Sequence, residues 1–472
     1  MTNIKSKVMA TLAGVVVVAG CSSNQFDILN TNDPTVEATT GTPTKLTLAR
    51  LAVGVAQGLL ADVGPEITTW GAFGREDYNL LGNDPRTTTE TIAGPLDPGG
   101  VGGGQWGKYA SIRTINIYLA AVDKAADMTA AEKAASKGYA QTLQAVLFHR
   151  LLLRNASLGI PVDVAVGLDQ PPAPFLTQAN AYNRIISLLD DARTNLAGGG
   201  AVFPFTMPPG YTGFDTPANF IKFNRGYFAK VQNHRATFVG GGAAAYQAAI
   251  TALSQSFVDP AGSLGAGVSY AYSSASGEPA NPVTEPLSAV RFYIHHSIRD
   301  AAQFKTNGVD KDDRYVNKTR PVAPRTQNNL TETLKPVIYN KPGTFDPDLD
   351  ADVPLLKNEE LILLRAEARW FTGDKANALA DINAVRTRSG GLPNTSLTPG
   401  SADAAFVTEL MYNRRYSLLF EQGTSWHDAR RFGRQTDLPR DRAGDTIFPF
   451  MTIPAGECDA RGLVVPCTPP TS

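Results

Sequence analysis

The feature that most constrains the fold of this chain is a pair of amphipathic helices predicted close to its C-terminus. Apolar residues recur at spacings of three and four along the first helix, at Leu361, Leu364, Ala368 and Phe371. Gly373 suits the position after that helix, and Asp374 suits the N-cap of a second helix that ends at Gly390-Gly391. Two helices joined by so short a turn pack as an antiparallel hairpin. The sequence therefore predicts helical hairpins as the building unit of the fold.

Helical periods of the same kind fill residues 45–62, 105–257 and 355–433. A hairpin of about 34 residues is typical of tetratricopeptide units, although strict repetition is absent here. The stretches 62–104 and 259–350 lack a helical period and are rich in Gly, Pro and small polar residues, which predicts long ordered loops. We therefore predict a mainly α fold. Tetratricopeptide-like hairpins form its scaffold, and the long loops form an irregular subdomain.

The N-terminus has the order of a bacterial lipoprotein signal peptide. Lys5 and Lys7 precede an apolar run that ends in the lipobox Val18-Ala19-Gly20-Cys21. This run is too short to cross a bilayer, which takes about 20 apolar residues. We therefore predict that residues 1–20 are a signal peptide, and that lipid, including palmitate, is attached to Cys21 after cleavage.

Residues 21–44 are polar and rich in Thr, Asn and Pro, which predicts a flexible tether between the lipid and a single domain at 45–472. No apolar run beyond Cys21 approaches 18 residues, so the lipid is the only membrane attachment expected. The formal charge of the chain is −1. Binding a phosphate backbone needs a basic face, so no nucleic-acid partner is expected.

Two cysteines remain besides the predicted lipid site. Cys458 and Cys467 lie nine positions apart in a tail that contains Gly and Pro. In an oxidising compartment a disulfide that closes this loop is the natural interpretation, with two free thiols as the alternative. No histidine or third cysteine lies near them in sequence, so a zinc site is not expected there.

No motif in the chain indicates catalysis, and we predict that the protein is not an enzyme. The run Gly102–Lys108 has the spacing of a phosphate loop, but Tyr109 stands where Ser or Thr would hold magnesium. The five histidines do not cluster with cysteines or carboxylates at ligand spacing, so we predict no metal site from them. Four alternating aspartates lack the Gly and Glu of an EF-hand, which leaves a looser calcium site or a solvated acidic turn: Asp346, Asp348, Asp350 and Asp352.

Aromatic residues in the loop-rich stretches are the candidates for ligand binding. Aromatic rings stack on the apolar faces of sugars, and nearby polar groups satisfy their hydroxyls. Two groups of residues combine these properties: Trp70, Phe73, Arg75, Asp77, Tyr78 and Asn79 in the first loop region, and Tyr270 and Tyr272 in the second. The alternative is that these rings hold the loops together as small local cores.

Several C-terminal segments, taken in order, resemble the SusD/RagB family of outer-membrane nutrient-binding lipoproteins. Residues 354–368 resemble the family's helix with the Glu-Leu…Ala-Glu-Ala signature, and residues 373–388 resemble the helix that follows it. The segments 413–421 and 426–433 parallel its charged Glu-Arg-Arg and Arg-Trp-x-Asp-Leu-Arg-Arg block, and Phe448–Glu457 parallels its closing motif. The chain departs from the pattern at Asn413, Ser417 and Thr424-Ser425, which are positions expected to hold structural ion pairs.

The resemblance implies a lipoprotein of the bacterial outer membrane that faces the cell exterior. It further implies that the protein captures a glycan or another nutrient and delivers it, without bond chemistry, to a TonB-dependent, SusC-like porin. The family builds its binding site from variable loops, so no ligand residue can be transferred by motif. Two alternatives stay open, namely a lipid-anchored helical-repeat scaffold that binds proteins and a surface glycan hydrolase.

Overall fold

The computed structural model describes residues 41–164, 170–288 and 291–471. The predicted signal peptide, Cys21 and most of the tether lie outside the described residues. The helices are α1 Lys45–Gly58, α2 Val63–Phe73, α3 Lys108–Lys124, α4 Ala130–Asn155, α5 Gln178–Ala197, α6 Pro217–Phe238, α7 Gly242–Leu253, α8 His296–Asp300, α9 Asp313–Lys318, α10 Asn358–Phe371, α11 Lys375–Gly390, α12 Asp403–Ser417, α13 Thr424–Arg431 and α14 Ala455–Ala460. The strands are β1 Asp77–Asn79, β2 Ile160–Pro161, β3 Phe175–Leu176, β4 Gly267–Tyr270, β5 Phe292–Ile294, β6 Thr319–Gln327, β7 Leu330–Pro336 and β8 Val353–Lys357.

The predicted mainly α fold with a tetratricopeptide-like scaffold is confirmed. Helices α3, α4, α5, α6 and α7 pack each on the next in chain order, then α7 packs on α10 and α10 on α11. Local signals set several of the helix starts. Thr129 and Glu132 form a reciprocal capping box at α4, and Thr177 caps α5 through the backbone N–H of Asn180.

Helix α10 is the centre of the C-terminal hairpin because it is apolar on two sides. Leu361 and Leu364 face the main core, whereas Ile362 and Trp370 face a second core built with α11 and α12. Polar residues of the helix such as Glu360 and Glu367 are buried as well, so neighbours cover it on nearly every side. Gly373 follows α10 with a φ of 95°, a backbone conformation that residues other than glycine rarely adopt.

The irregular subdomain contains more regular structure than the sequence predicts. Residues 63–73 form helix α2, and the stretch 259–350 contributes strands β4 to β7. Four strands make one sheet in the order β1-β5-β7-β6, with every neighbouring pair antiparallel. Separate two-stranded pairs join β2 with β3 and β4 with β8. The helical period of α2 is hidden because the helix is buried on most of its sides.

Within residues 41–164, 170–288 and 291–471, one stretch is long and apolar enough to cross a membrane by length and composition, Lys45–Phe73. It consists of α1 and α2, which are separated by a turn at residues 59–62. Leu48 of α1 and Ile67 of α2 are buried in the main core. The stretch therefore has a packing role within the fold.

Charged residues of the C-terminal motifs lie inside the protein as ion pairs. Arg414 Nε lies 2.7 Å from Asp428 Oδ2, and Arg431 Nε lies 2.7 Å from Asp428 Oδ1. Arg431 also contacts Glu367 of α10, with both side chains fully buried. Ser417 is one of the positions where the chain departs from the family pattern. Its hydroxyl donates a hydrogen bond to Glu359 Oε1 at 2.7 Å. These ion pairs therefore connect α13 to both α10 and α12.

The tail is closed by a disulfide between Cys458 and Cys467. Cys458 is buried in a small cluster with Leu158, Phe175 and Ile453. The disulfide therefore fixes the segment after α14 near the connection between α4 and α5.

Candidate functional site

The first group of predicted ligand residues lies in the interior. Trp70 packs against Trp426 with ring centroids 6.0 Å apart, and Phe73 packs against Trp426 and Phe448, each at 5.0 Å. Both residues belong to helix α2 and to one core cluster, and neither has exposed surface. The expectation that they form a stacking platform is corrected, because no face of either ring is accessible to a ligand.

The polar residues of the first group are also committed to internal contacts. Arg75 is fully buried and donates to the carbonyl oxygens of Ala72, Pro439 and Thr446 at 2.7–3.0 Å. The Tyr78 hydroxyl, on strand β1, donates to Asp441 Oδ2 at 2.9 Å.

The two remaining residues differ in their contacts: among the described residues the carboxyl oxygens of Asp77 have no hydrogen-bond partner, whereas the Asn79 side chain has one. Asp77 is fully buried, and burial together with the neighbouring Glu76 raises the pKa of its carboxyl. Asn79 is half-buried and accepts from the backbone N–H of Leu81. The first group of residues therefore packs as a local core, which was the alternative to a ligand-binding surface.

The second group, Tyr270 and Tyr272, lines a surface pocket of about 620 Å³, which we call the tyrosine pocket. This volume lies within the range of roughly 300–1,000 Å³ usual for small-molecule sites. The lining residues come from five segments: Val53, Ala56, Gln57, Leu59 and Leu60 of α1 and the turn after it; Thr206 to Pro209; Tyr211; Ser269 to Ser273 with Glu278 and Pro279; and Asp350 with Asp352. The acidic turn singled out in the sequence therefore meets the tyrosines at one site.

The walls of the pocket are held by short backbone contacts. Strand β4 pairs with β8, which places Tyr270 opposite Val353 just before the loop that carries Tyr272. Gly210 brings the segment 206–211 against the carbonyl of Ser269, where any side-chain Cβ would clash. Opposite, the Ser274 backbone N–H and hydroxyl both donate to Asp350. The loop and the acidic turn are thus linked.

The pocket combines apolar walls with unsatisfied polar groups. Among the described residues, the hydroxyls of Tyr270 and Tyr272 have no hydrogen-bond partner. Burial raises the pKa of Tyr270 to about 12, so its hydroxyl keeps its proton at neutral pH. Burial also raises the pKa of the Asp352 carboxyl, against a hydrogen bond from the Tyr272 backbone that lowers it. The Asp352 carboxyl can hydrogen-bond to the hydroxyls of a bound molecule. The hydroxyl oxygens of both tyrosines are buried, so the tyrosines line the pocket without exposing these atoms.

The charges around the pocket have one sign. Glu278, Asp350 and Asp352 contribute three carboxyl groups, and no Lys or Arg is among the lining residues that the structure describes. Hydrogen bonds from Ser274 lower the pKa of Asp350, which is therefore ionised at neutral pH. An anionic ligand would be repelled here, whereas a neutral or cationic one would not.

Two of the histidines lie beside carboxylates in space, although not in sequence. In the part of the chain that the structure describes, one group of side chains has metal-ligating atoms within 4.8 Å of one another, and it is His295, His296, Glu332 and Asp441. The predicted calcium aspartates do not form such a group there. Sequence spacing missed this cluster because Glu332 lies 36 positions from His296, and Asp441 lies 146 positions from His295.

Comparison with known proteins gives a consistent result. Residues 349–454 match the family model of the SusD family. NanU of B. fragilis is similar over 93% of this chain and 100% of its own, with 17% sequence identity and a TM-score of 0.66. A SusD homolog from Bacteroides thetaiotaomicron is similar over 88% of this chain and 95% of its own, with 16% identity and a TM-score of 0.66.

A third solved structure, a Bacteroides vulgatus protein named for sugar binding, is similar over 88% of this chain and 96% of its own. Its sequence identity is 17% and its TM-score is 0.61. No curated protein sequence matches the chain significantly. The structural likenesses establish the fold of almost the whole chain.

Proposed function

Because residues 349–454 match the SusD family model and SusD-like structures share the fold of almost the whole chain, we propose that the chain is a glycan-binding lipoprotein of the bacterial outer membrane in the SusD/RagB family. It captures an oligosaccharide at the cell exterior and hands it to a TonB-dependent, SusC-like porin. The lipid on Cys21 and the tether at 21–44 keep it at the membrane. Its task is binding and transfer, without bond chemistry.

The observation that carries the proposal is the tyrosine pocket. It is concave, mostly apolar and large enough for a short oligosaccharide, and two tyrosines and three carboxyl-bearing residues line it. A scaffold that binds only proteins would leave its loop aromatics buried without a concave site between them. Trp70 and Phe73 fit that alternative, whereas Tyr270 and Tyr272, although only 3% and 8% exposed, line a concave pocket.

The charge of the pocket narrows the ligand class to neutral sugars. The three carboxyl groups accept hydrogen bonds from sugar hydroxyls. Acidic sugars would bring a further negative charge with no lysine or arginine in the described lining to offset it. The relative named for sugar binding supports a carbohydrate ligand over a peptide.

The proposal is tested by calorimetric titration of neutral and acidic oligosaccharides into the purified chain. We expect binding of a neutral member, and Tyr272→Ala should weaken it about tenfold because a stacking ring is worth about 0.5–1.5 kcal/mol beyond its buried area. Tyr272→Phe separates the ring from the hydroxyl. Tyr315→Ala, which removes a half-buried tyrosine outside the pocket, is the matched control and should bind as wild type does.

Two results would overturn this assignment. Equal affinity of wild type and Tyr272→Ala would remove the pocket from the site. Preference for acidic oligosaccharides would contradict the charge argument.

Glycan hydrolysis is the second candidate, because Glu278, Asp350 and Asp352 line the same pocket. Glycosidases use two carboxyl groups on either side of the bond that they cleave. Release of reducing ends from the bound oligosaccharide, lost in Asp352→Asn, would establish this activity. An intact oligosaccharide after prolonged incubation would exclude it and leave binding alone.

The porin partner is tested separately. Gentle detergent extraction of the tagged protein, followed by pull-down, should recover a TonB-dependent porin as the main companion. Recovery of unrelated proteins alone would favour the interaction scaffold instead.

A further inference from the structure

Four side chains with metal-ligating atoms meet at the edge of the four-stranded sheet. His295 and His296 directly follow β5, Glu332 lies on β7, and Asp441 belongs to the segment after α13. One ligand atom of each lies within 4.8 Å of the others. The cluster is separate from the tyrosine pocket, with which it shares no residue.

The sheet register produces this meeting. Ile294 of β5 pairs with Leu334 of β7, so the antiparallel continuation sets His296 opposite Glu332. His296 Nδ1 lies 2.8 Å from Glu332 Oε1, and His296 Nε2 lies 3.8 Å from Asp441 Oδ1. His295 Nε2 lies 3.1 Å from Asp441 Oδ2, and the two imidazole rings stack with centroids 4.3 Å apart. The His296 ring therefore lies between the two carboxylates, and the His295 ring stacks on it and contacts Asp441.

The strongest indication of a ligand is Glu332. Its side chain is only 1% exposed, yet among the described residues its Oε2 atom has no hydrogen-bond partner. A buried acceptor without a partner costs about 1–3 kcal/mol, and more when it is charged. A cation beside His296 would satisfy this oxygen.

The hydrogen bonds of the His295 ring set a condition on metal binding. Its Nδ1 atom accepts from the backbone N–H of Ser297 at 3.1 Å, which places the ring proton on Nε2, 3.1 Å from Asp441 Oδ2. A metal on Nε2 would move this proton to Nδ1, where Ser297 Oγ, 2.7 Å away, can accept it. The same oxygen also accepts from Arg415 Nη2 at 2.6 Å, which fixes its position.

We propose that His295, His296, Glu332 and Asp441 bind a divalent transition-metal cation of the zinc class. Two imidazoles and two carboxylates provide four ligands, and their two negative charges balance the cation. Imidazole nitrogen favours zinc and its neighbours, whereas calcium and magnesium prefer oxygen ligands alone.

The cluster needs a small contraction to close around the ion. With bonds of about 2.0–2.1 Å, tetrahedral zinc would bring its ligand atoms about 3.3 Å apart. The His296 side chain is 39% exposed and has room to make this movement. The bound metal would fasten the segment that carries Asp441 to the sheet.

The test is calorimetric titration of Zn²⁺ into the tag-free protein after dialysis against a chelator. We expect one equivalent to bind, and His296→Ala to weaken it at least tenfold. His296 is the best position to change because its side chain is partly exposed and its removal leaves no buried cavity, and circular dichroism checks the fold. Asp437→Asn, which changes an exposed carboxylate outside the cluster, should bind zinc as wild type does.

Further readouts identify the ion and the ligands. Co²⁺ should give the visible absorption of a tetrahedral site, and this absorption should be lost in Glu332→Gln. The proposal is overturned if zinc fails to bind, if it binds equally well to His296→Ala, or if Ca²⁺ binds the cluster in preference to it. These readouts involve no sugar, so they are independent of the proposed function.

Discussion

Trp70 and Tyr272 differ in exposure, and this difference separates their roles. Trp70 has no accessible surface, whereas Tyr272 keeps 8% of its surface exposed in the wall of the tyrosine pocket. In sequence both are aromatic residues in stretches rich in Gly and small polar residues. At the scale of the residue, therefore, burial decides which ring stabilises the fold and which one can meet a ligand.

Replacing Trp70 with alanine should destabilise the fold without changing sugar affinity. Removing a buried tryptophan leaves a cavity, and we expect the free energy of unfolding to fall by about 3–5 kcal/mol in urea denaturation. Trp106→Ala, at a half-exposed tryptophan, should cost less. A folded Trp70→Ala protein with lost sugar binding and wild-type stability would contradict the assignment of Trp70 to the core.

Asp428 makes the fold sensitive to acid. Burial alone would raise the pKa of its carboxyl, but Arg414 and Arg431 outweigh burial and hold the pKa below its ordinary value of 3.8. A carboxyl with a lowered pKa in the folded state stabilises the protein above its unfolded pKa, and this contribution is lost as the pH falls through the folded pKa. We therefore expect stability from this group to be lost below about pH 4.

Thermal unfolding at a series of pH values checks this prediction. Asp428→Asn should show a shallower loss of melting temperature with acid than wild type does. An exposed control, Asp437→Asn, should leave the acid profile unchanged. If the melting temperatures of wild type and Asp428→Asn fell in parallel with pH, the Asp428 carboxyl would not contribute to the acid sensitivity of the fold.

At the scale of the element, the Cys458–Cys467 disulfide fixes the segment that follows α14. It closes a loop with a sequence separation of 9 residues. Loop-closure entropy predicts a stabilisation of about 2–3 kcal/mol for a loop of this length. The double substitution Cys458→Ser with Cys467→Ser should lower the melting temperature and leave sugar affinity unchanged, since neither residue lines the pocket.

Reduction with a thiol gives the matching measurement on the wild-type chain. It should lower the melting temperature of wild type but not of the double variant. If both proteins responded alike, the loss would come from another effect of the reductant.

Elements with strong local signals were predictable from the sequence, and elements decided by tertiary burial were not. The capping pair Thr129 and Glu132 marks the start of α4, and Gly373 marks the end of α10. Helix α2 was missed because its apolar residues cover most of its surface and leave no period of 3.6. Helix α6 lies inside the predicted scaffold range 105–257, although its buried face includes polar residues such as Asn224, Lys230 and His234, which weaken its apolar period.

The candidate site was only half predictable for a related reason. Tyr270 and Tyr272 stand close together in sequence beside small residues, and they do line the pocket. Val53 and the segment 206–209 complete it from distant parts of the chain, which no local pattern reveals. The histidine cluster likewise depends on strand register and on Asp441, far away in sequence.

At the scale of the whole molecule, the proposed function requires attachment to the membrane through Cys21. We expect the protein to incorporate a labelled palmitate analogue and to sediment with membranes. Cys21→Ser should abolish both, because the thiol is the group that receives the lipid. Lys5→Gln, within the predicted signal peptide but away from the lipobox, should still permit lipidation, and label retained in Cys21→Ser would contradict this role.

The proposed function depends on sugar binding in the tyrosine pocket. Backbone hydrogen exchange of the full chain, with and without a saturating neutral oligosaccharide, tests this most directly. We predict that the sugar slows exchange in residues 206–211 and 269–279 and in the acidic turn around Asp350, and leaves helix α2 unchanged. Slowed exchange confined to other surfaces, with none at these segments, would contradict the account.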